Sequence, residues 1–315
     1  MLNKTPKKFF ENYASNSFLR LFDESFQCKD YSSKQLGRLK NTKKYCTTKD
    51  IKSNLPIGLI LRVEYAKKHL DFINARSGLP YIMLNLNTVN TLIKTGITAQ
   101  DLFPKGKIIT TSTIHDNKLP YFDIETEVSI IKKFAPSYHI PCDYPVYFED
   151  DSKGRKWFID ALVESTFQFI KRMKNYPTIT IPLIKGINEN EWNRSVSPFQ
   201  EVGINYFSFY AKQYFGSYNG RNDRLLTEHI NGLISTTNLE YLMLIGYQPT
   251  KTLSKLPMEV KAFAGQRWIT KSHLNTYSPE QSVTAYWDWE KSFTENDRSR
   301  QSVLKMELEE KWECN

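Results

Sequence analysis

The chain predicts an α/β fold, a (β/α)8 TIM barrel, on two observations: apolar runs of strand length recur from residue 59 onward, and a stretch of helical character follows each. Short, nearly continuous apolar runs suit parallel strands buried on both faces, and the longer stretches between them hold the crossover helices that parallel pairing requires. In chain order the runs are Leu59 to Val63, Tyr81 to Leu84, Ile108 to Thr111, Asp143 to Phe148, Ile179 to Lys185, Ile204 to Tyr210, Tyr241 to Gly246 and Glu259 to Ala264. A barrel of this kind carries its chemistry at the C-terminal strand ends.

The helical segments follow the same logic. Asp123 to Phe134 opens with acids (Asp123, Glu125, Glu127) and closes with Lys132 and Lys133, the order that the helix dipole favours. In Trp157 to Lys174 the residues Phe158, Leu162, Val163, Phe167, Phe169, Ile170 and Met173 mostly recur at spacings of three and four, giving one buried stripe. Asp223 to Ile234 starts at an Asp cap and ends near Gly232. Beyond His273, the segment Asp297 to Trp312 reads as a helix starting at Asp297. It either closes the barrel or docks a partner subunit.

At 315 residues and 40% hydrophobic content, the chain has material for one large core plus an extension. The expected division is a basic appendage at 1–56, the barrel at 57–272 and a helical extension at 273–315. No run approaches a membrane span and the start lacks an apolar signal stretch, so a cytoplasmic protein without membrane contact is expected. Cys28, Cys46, Cys142 and Cys314 are scattered, which suits reduced structural thiols. None of His69, His115, His139, His229 and His273 sits at ligand spacing with another, and no metal or cofactor is expected. His115 follows the third run and could reach the mouth, or it is an ordinary loop histidine. The absence of GxxxxGK[ST], HExxH, GxSxG, CxxxCxxC and CxxC patterns argues against NTP hydrolysis, zinc hydrolysis and radical chemistry.

Of the net charge of +9, +7 falls before residue 53, where twelve Lys and Arg face five acids. Lys34, Arg38, Lys40, Lys43 and Lys44, flanked by Tyr31 and Tyr45, form the densest part. Two readings stand: contact with the phosphates of a nucleic acid, or a solvated face.

Five stretches in order, KKFAPSYHIPCDYPVYFED (132–150), TITIPLIKG (178–186), VGINYFSFY (202–210), LEYLMLIGYQP (239–249) and VKAFAGQRW (260–268), resemble the tRNA-guanine transglycosylase superfamily. Within it they are most similar to the branch that inserts 7-deazaguanines into DNA. The resemblance implies a pentosyltransferase, a glycosyltransferase that modifies DNA or tRNA by exchanging a base. Such exchange needs a carboxylate to attack the anomeric carbon, a second group to manage the proton and an acid to accept the N–H edge of the base. By this resemblance Glu149 reads the base, with Asp150 and Asp143 as further acidic candidates. By strand position, Asp143 is expected at the opposite, bottom face. Thr111, beside Ser112, stands where the family has an acid, Lys185, before Gly186, where it has Gln, and Ala264 where it has the nucleophilic Asp. The family's cysteine-rich zinc site is missing. Tyr210 and Tyr214 are placed either to stack on a base or to pack plainly, and Arg267 to bind phosphate. Thr111, Glu149, Lys185, Tyr210 and Ala264 are expected around one cavity, with Lys185 paired to Glu149. Two functions remain open: a base-modifying enzyme with altered catalytic residues, or an inactive relative that binds nucleic acid or joins a homo- or hetero-oligomer.

Overall fold

The computed structural model describes residues 54–313 apart from 77, 114–122, 145, 149, 216–221, 250 and 251, with backbone alone at 301 and 303–313. The appendage with Lys34 to Lys44, together with His115, Glu149 and three of the four cysteines, lies outside the described residues.

The strands and helices alternate as the apolar rhythm predicts. They are β1 (Gly58–Arg62), α1 (Lys67–Ala75), β2 (Tyr81–Asn85), α2 (Leu86–Lys94), α3 (Ala99–Leu102), β3 (Lys107–Thr111), α4 (Ile124–Phe134), β4 (Tyr138–Ile140), α5 (Ser152–Met173), β5 (Ile179–Thr180), β6 (Leu183–Ile184), α6 (Glu189–Glu201), β7 (Tyr206–Tyr210), α7 (Asp223–Thr237), β8 (Tyr241–Ile245), β9 (Val260–Gly265), α8 (Arg267–Lys271) and α9 (Pro279–Glu313). All nine strands form one curled parallel sheet in the order β5-β4-β3-β2-β1-β9-β8-β7-β6. Its two edges, β5 and β6, are not paired with each other and are consecutive in the chain. The predicted fifth strand is thus divided at Ile181–Pro182. The Ile181 amide still bonds to His139 O at 2.8 Å, while the Pro182 carbonyl accepts from Ser208 N at 2.8 Å, so one stretch of chain serves both edges. Proline has no N–H to give, which ends the β4 ladder there.

One strand differs from expectation. The fourth is Tyr138–Ile140, not Asp143 to Phe148. Pro141 lacks a ladder donor and Cys142 takes a φ of +57°, so the chain leaves the sheet before Asp143. The consequence is positional: Asp143 lies past the C-terminal end of β4, at the mouth, and not at the bottom face.

The helices carry local stop and start signals. Asp123 caps α4 by accepting from Thr126 N, and Ala135 ends it in the left-handed region. Asp151 caps α5, a turn and a half earlier than the apolar stripe begins. Asn222, not Asp223, caps α7, and Gly232 is interior to it. Asp297 is likewise interior to α9, which starts at Pro279 and packs Trp289 and Phe293 inward, Phe293 edge-on to Phe263 of β9. Buried Arg300 of α9 bonds to the carbonyls of Pro257 and Val260 at the N-terminal end of β9. Its described part therefore lies along the sheet, as a barrel-closing helix would. No helix among the described residues is long and apolar enough to cross a membrane.

Candidate functional site at the C-terminal strand ends

β6 and β7 run in register, Leu183 beside Ser208 and Ile184 beside Phe209. The next pair, Lys185 and Tyr210, therefore meets at the mouth, with Lys185 Nζ 5.3 Å from the centre of the Tyr210 ring. Lys185 Nζ also lies 2.8 Å from Asp143 Oδ1, and the two side chains are only 8% and 9% exposed. This buried ion pair, capped by a half-buried tyrosine, is the site's centre. Burying two charges is costly unless they are paired, and the pairing fixes one geometry.

The turn after β6 is clamped. Lys185 N bonds to Ser195 Oγ at 3.2 Å, Gly186 O accepts from Trp192 Nε1 at 3.1 Å, and Ile187 N bonds to Glu191 Oε2 at 2.9 Å. Gly186 adopts a φ of +126°, and a Cβ there would lie 2.7 Å from Glu191 Cβ, so glycine is required. Glu191 is held in turn by buried Arg155 at 2.9 Å, which also donates to Asp150 O.

Behind β4, on the helix side, sits a second buried polar group. Glu127 of α4 accepts from His139 Nε2 at 2.8 Å, from Ser112 Oγ and from Cys142 N at 3.2 Å, while Thr110 Oγ1 lies 2.8 Å from His139 Nδ1. Glu127 Oε2 is 3.8 Å from the Cys142 thiol, whose pKa is driven up by burial first and by the Glu127 charge second. That thiol is an inert structural group. The network fixes the backbone kink at Cys142 from which Asp143 projects.

The predicted residues are thus sorted by the fold. Lys185, Tyr210 and Asp143 come together, with Lys185 paired to Asp143, while the expected pairing of Lys185 with Glu149 falls outside the described residues. Ser112 is turned to Glu127 on the helix side and is unavailable as a substrate contact. Thr111 is fully buried, its hydroxyl 3.0 Å from Thr113 Oγ1, and Ala264 is fully buried in β9 in register with Ile60 and Ile245. Asp150 accepts from Tyr147 N at 2.8 Å in a local turn. Arg267 donates to Gln248 O at 3.4 Å. Tyr214 is packed against Phe148 and bonded to His229 Nδ1 at 2.8 Å, so it is a core residue and no stacking platform. Burial raises its pKa and lowers that of His229.

Sequence reasoning missed Arg62, Gln248 and the Arg155–Glu191 pair. Arg62, at the end of β1, donates to Thr113 O at 2.8 Å, and buried Gln248 donates to Ile60 O at 3.0 Å and accepts from Trp268 N at 3.3 Å. A charged residue within an apolar strand run is the signal for Arg62, and a polar residue just after one is the signal for Gln248. A cleft of about 280 Å³ lies elsewhere, between β1, β2 and helices α1 and α2, lined largely by apolar residues such as Leu70, Ile73, Ile82 and Leu92. Its lining includes the acids Glu64 and Asp101 but no Lys or Arg to pair with them. Among the described residues no cluster of three or more His, Cys, Asp or Glu is placed to hold a metal.

No protein-family model matches the chain, and no curated protein matches it.

Proposed function

We propose that this chain is a transglycosylase-like (β/α)8 barrel, with Ile179 to Ile184 counted as one strand, that takes a guanine-like base of a nucleic acid at its C-terminal mouth. Asp143 accepts the N–H edge of the base, the role that the resemblance gave to Glu149. Tyr210 offers a ring face, and Lys185 keeps the carboxylate's charge compensated while the mouth is empty. The single observation that carries this reading is the buried Asp143–Lys185 pair beside Tyr210, at the end of the strand where the resemblance expects a base-reading acid. Base exchange by the family's route does not follow. A methyl group stands at Ala264, and the attack on the anomeric carbon needs a carboxylate there. The protein is accordingly a binding member of the superfamily, acting on a nucleic acid alone or beside an active subunit.

One observation favours a competing reading: Asp143 is itself a carboxylate at the mouth, so base exchange with Asp143 as nucleophile is the enzyme alternative. The test uses full-length protein with guanine-containing single-stranded DNA and with tRNA. Native gels should show a complex, while denaturing gels show no adduct and labelled guanine does not enter the polymer. An adduct mapping to Asp143 establishes the enzyme instead, and no native complex with either polymer removes the nucleic-acid reading.

A further inference from the structure

At the N-terminal ends of the strands, opposite the mouth, basic residues gather beneath β3, β4 and β5. Beneath β3, β4 and β5 the chain turns through residues 103–107, 131–138 and 171–180, three stretches without a single Asp or Glu. They carry Lys105, Lys107, Lys132, Lys133, Lys171 and Lys174, together with Arg172, which is paired to Glu125 of α4. Beneath β7, β8 and β9 the corresponding turns, 200–206, 236–241 and 253–260, carry Glu201, Glu240 and Glu259 against one exposed lysine, Lys255, while buried Arg300 of α9 reaches the carbonyls of Pro257 and Val260.

The three basic turns form one patch. Thr178 Oγ1 bonds to Pro136 O at 2.8 Å and Ile179 N to Ser137 O at 3.0 Å, joining the ends of α4 and α5. Lys107 pairs in register with Tyr81, and its Nζ lies 5.8 Å from the Tyr138 ring. Lys132 Nζ sits 4.6 Å over the ring of Tyr176, a tyrosine 43% exposed. Lys105, Lys133, Lys171 and Lys174 are exposed. The helix dipole accounts for Lys132, Lys133 and Lys171, which stand in last turns. It accounts equally for Lys174, the C-cap of α5, but not for Lys105 or Lys107, which lie outside helices, nor for Glu201 closing α6.

We propose that the N-terminal face beneath β3, β4 and β5 is a phosphate-binding surface for a nucleic acid, separate from the mouth and gripping a different stretch of polymer. The inference shares with the base-reading proposal only the class of partner. An exposed lysine set in which one acid, Glu125, is taken up by Arg172 suits a polyanion backbone, and Tyr176 under Lys132 adds an aromatic face for an unpaired base.

The experiment is a salt titration of full-length protein on a fluorescein-labelled single strand, for the unaltered chain and for a variant with Lys105→Ala, Lys133→Ala, Lys171→Ala and Lys174→Ala. All four side chains are exposed, so the fold is retained, which circular dichroism checks. Each phosphate that the variant no longer neutralises should lower the slope of log affinity against log salt by roughly 0.7. The variant should therefore bind more weakly with a visibly flatter slope, while Lys68→Ala, Lys153→Ala, Lys156→Ala and Lys271→Ala together, placed toward the mouth, leave more of the slope in place. An unchanged slope in the first variant overturns the proposal, as does displacement by poly-glutamate as effectively as by unlabelled strand. Preference for guanine over adenine is read in the same assay. Its absence from the unaltered chain defeats the base-reading proposal and leaves this one standing.

Discussion

Lysines at the two ends of the strands do opposite work. At the C-terminal end Lys185 is buried against Asp143 and Tyr210, with its backbone held by Ser195. At the N-terminal end Lys133 and Lys171 stand in water on a face free of acids in the surrounding turns. A buried pair pays for its desolvation only in one geometry, so it gives specificity and resists salt. Exposed charges act over roughly a Debye length, about 8 Å at physiological ionic strength, and give attraction without specificity. The proposed base site and the proposed phosphate surface thus place the same side chain in two environments at opposite ends of one curled sheet.

The comparison breaks most visibly at the buried pair. Lys185→Met or Asp143→Asn alone should cost about 3–5 kcal/mol of unfolding free energy, because each leaves an uncompensated polar partner in the interior. The double variant should recover much of that loss. Lys133→Met should stay within about 0.5 kcal/mol of the unaltered chain in the same urea titrations. Equal losses at both ends would contradict the contrast.

The network behind β4 comes next. Glu127→Ala orphans donors from Ser112, His139 and Cys142, and each unsatisfied buried group costs about 1–3 kcal/mol. Its expected signature is loss of stability together with loss of any ligand affinity at Asp143, since the Cys142 kink is freed. Gly186→Ala should cost about 1–3 kcal/mol, from the positive φ and the approach to Glu191. Urea midpoints check both.

The smallest effect is a pH dependence. Burial lowers the pKa of His69 and His229 below the ordinary 6.5, so the folded state holds both neutral. Stability from this source is complete above pH 6.5 and falls as pH drops through 6.5 toward the folded values, where the unfolded chain binds more protons. His229→Gln should flatten that acid limb in thermal melts between about pH 7 and 5. A limb that instead steepens would show that His229 gains its proton on folding.

Much of the fold was legible because continuous apolar runs mark parallel strands whatever their neighbours. Seven of the eight expected runs hold strand in the structure, the fifth divided at Pro182. The fourth was misplaced because Tyr138–Ile140 is a three-residue strand beside a longer apolar stretch, and a single φ reversal at Cys142 is invisible to periodicity. The same slip hid the site. With Asp143 assigned to a strand start, its meeting with Lys185, 42 positions away, could not be read, although both residues were named. Glu127 looked like dipole compensation in a first helical turn, and its contacts to β3 and β4 required the packed sheet.

Whether Asp143 reads a base decides between the proposed function and its failure. The direct measurement is the affinity of full-length protein for a single-stranded oligonucleotide bearing one guanine against the same strand with adenine, for the unaltered chain and for Asp143→Asn with Lys185→Met. Guanine offers two adjacent N–H donors to a carboxylate and adenine does not, so the unaltered chain should prefer guanine by roughly ten-fold or more, about 1–3 kcal/mol. The double variant should bind both strands alike, with its salt slope unchanged. Equal affinity for the two strands in the unaltered chain, or a guanine preference that survives in the double variant, contradicts the claim.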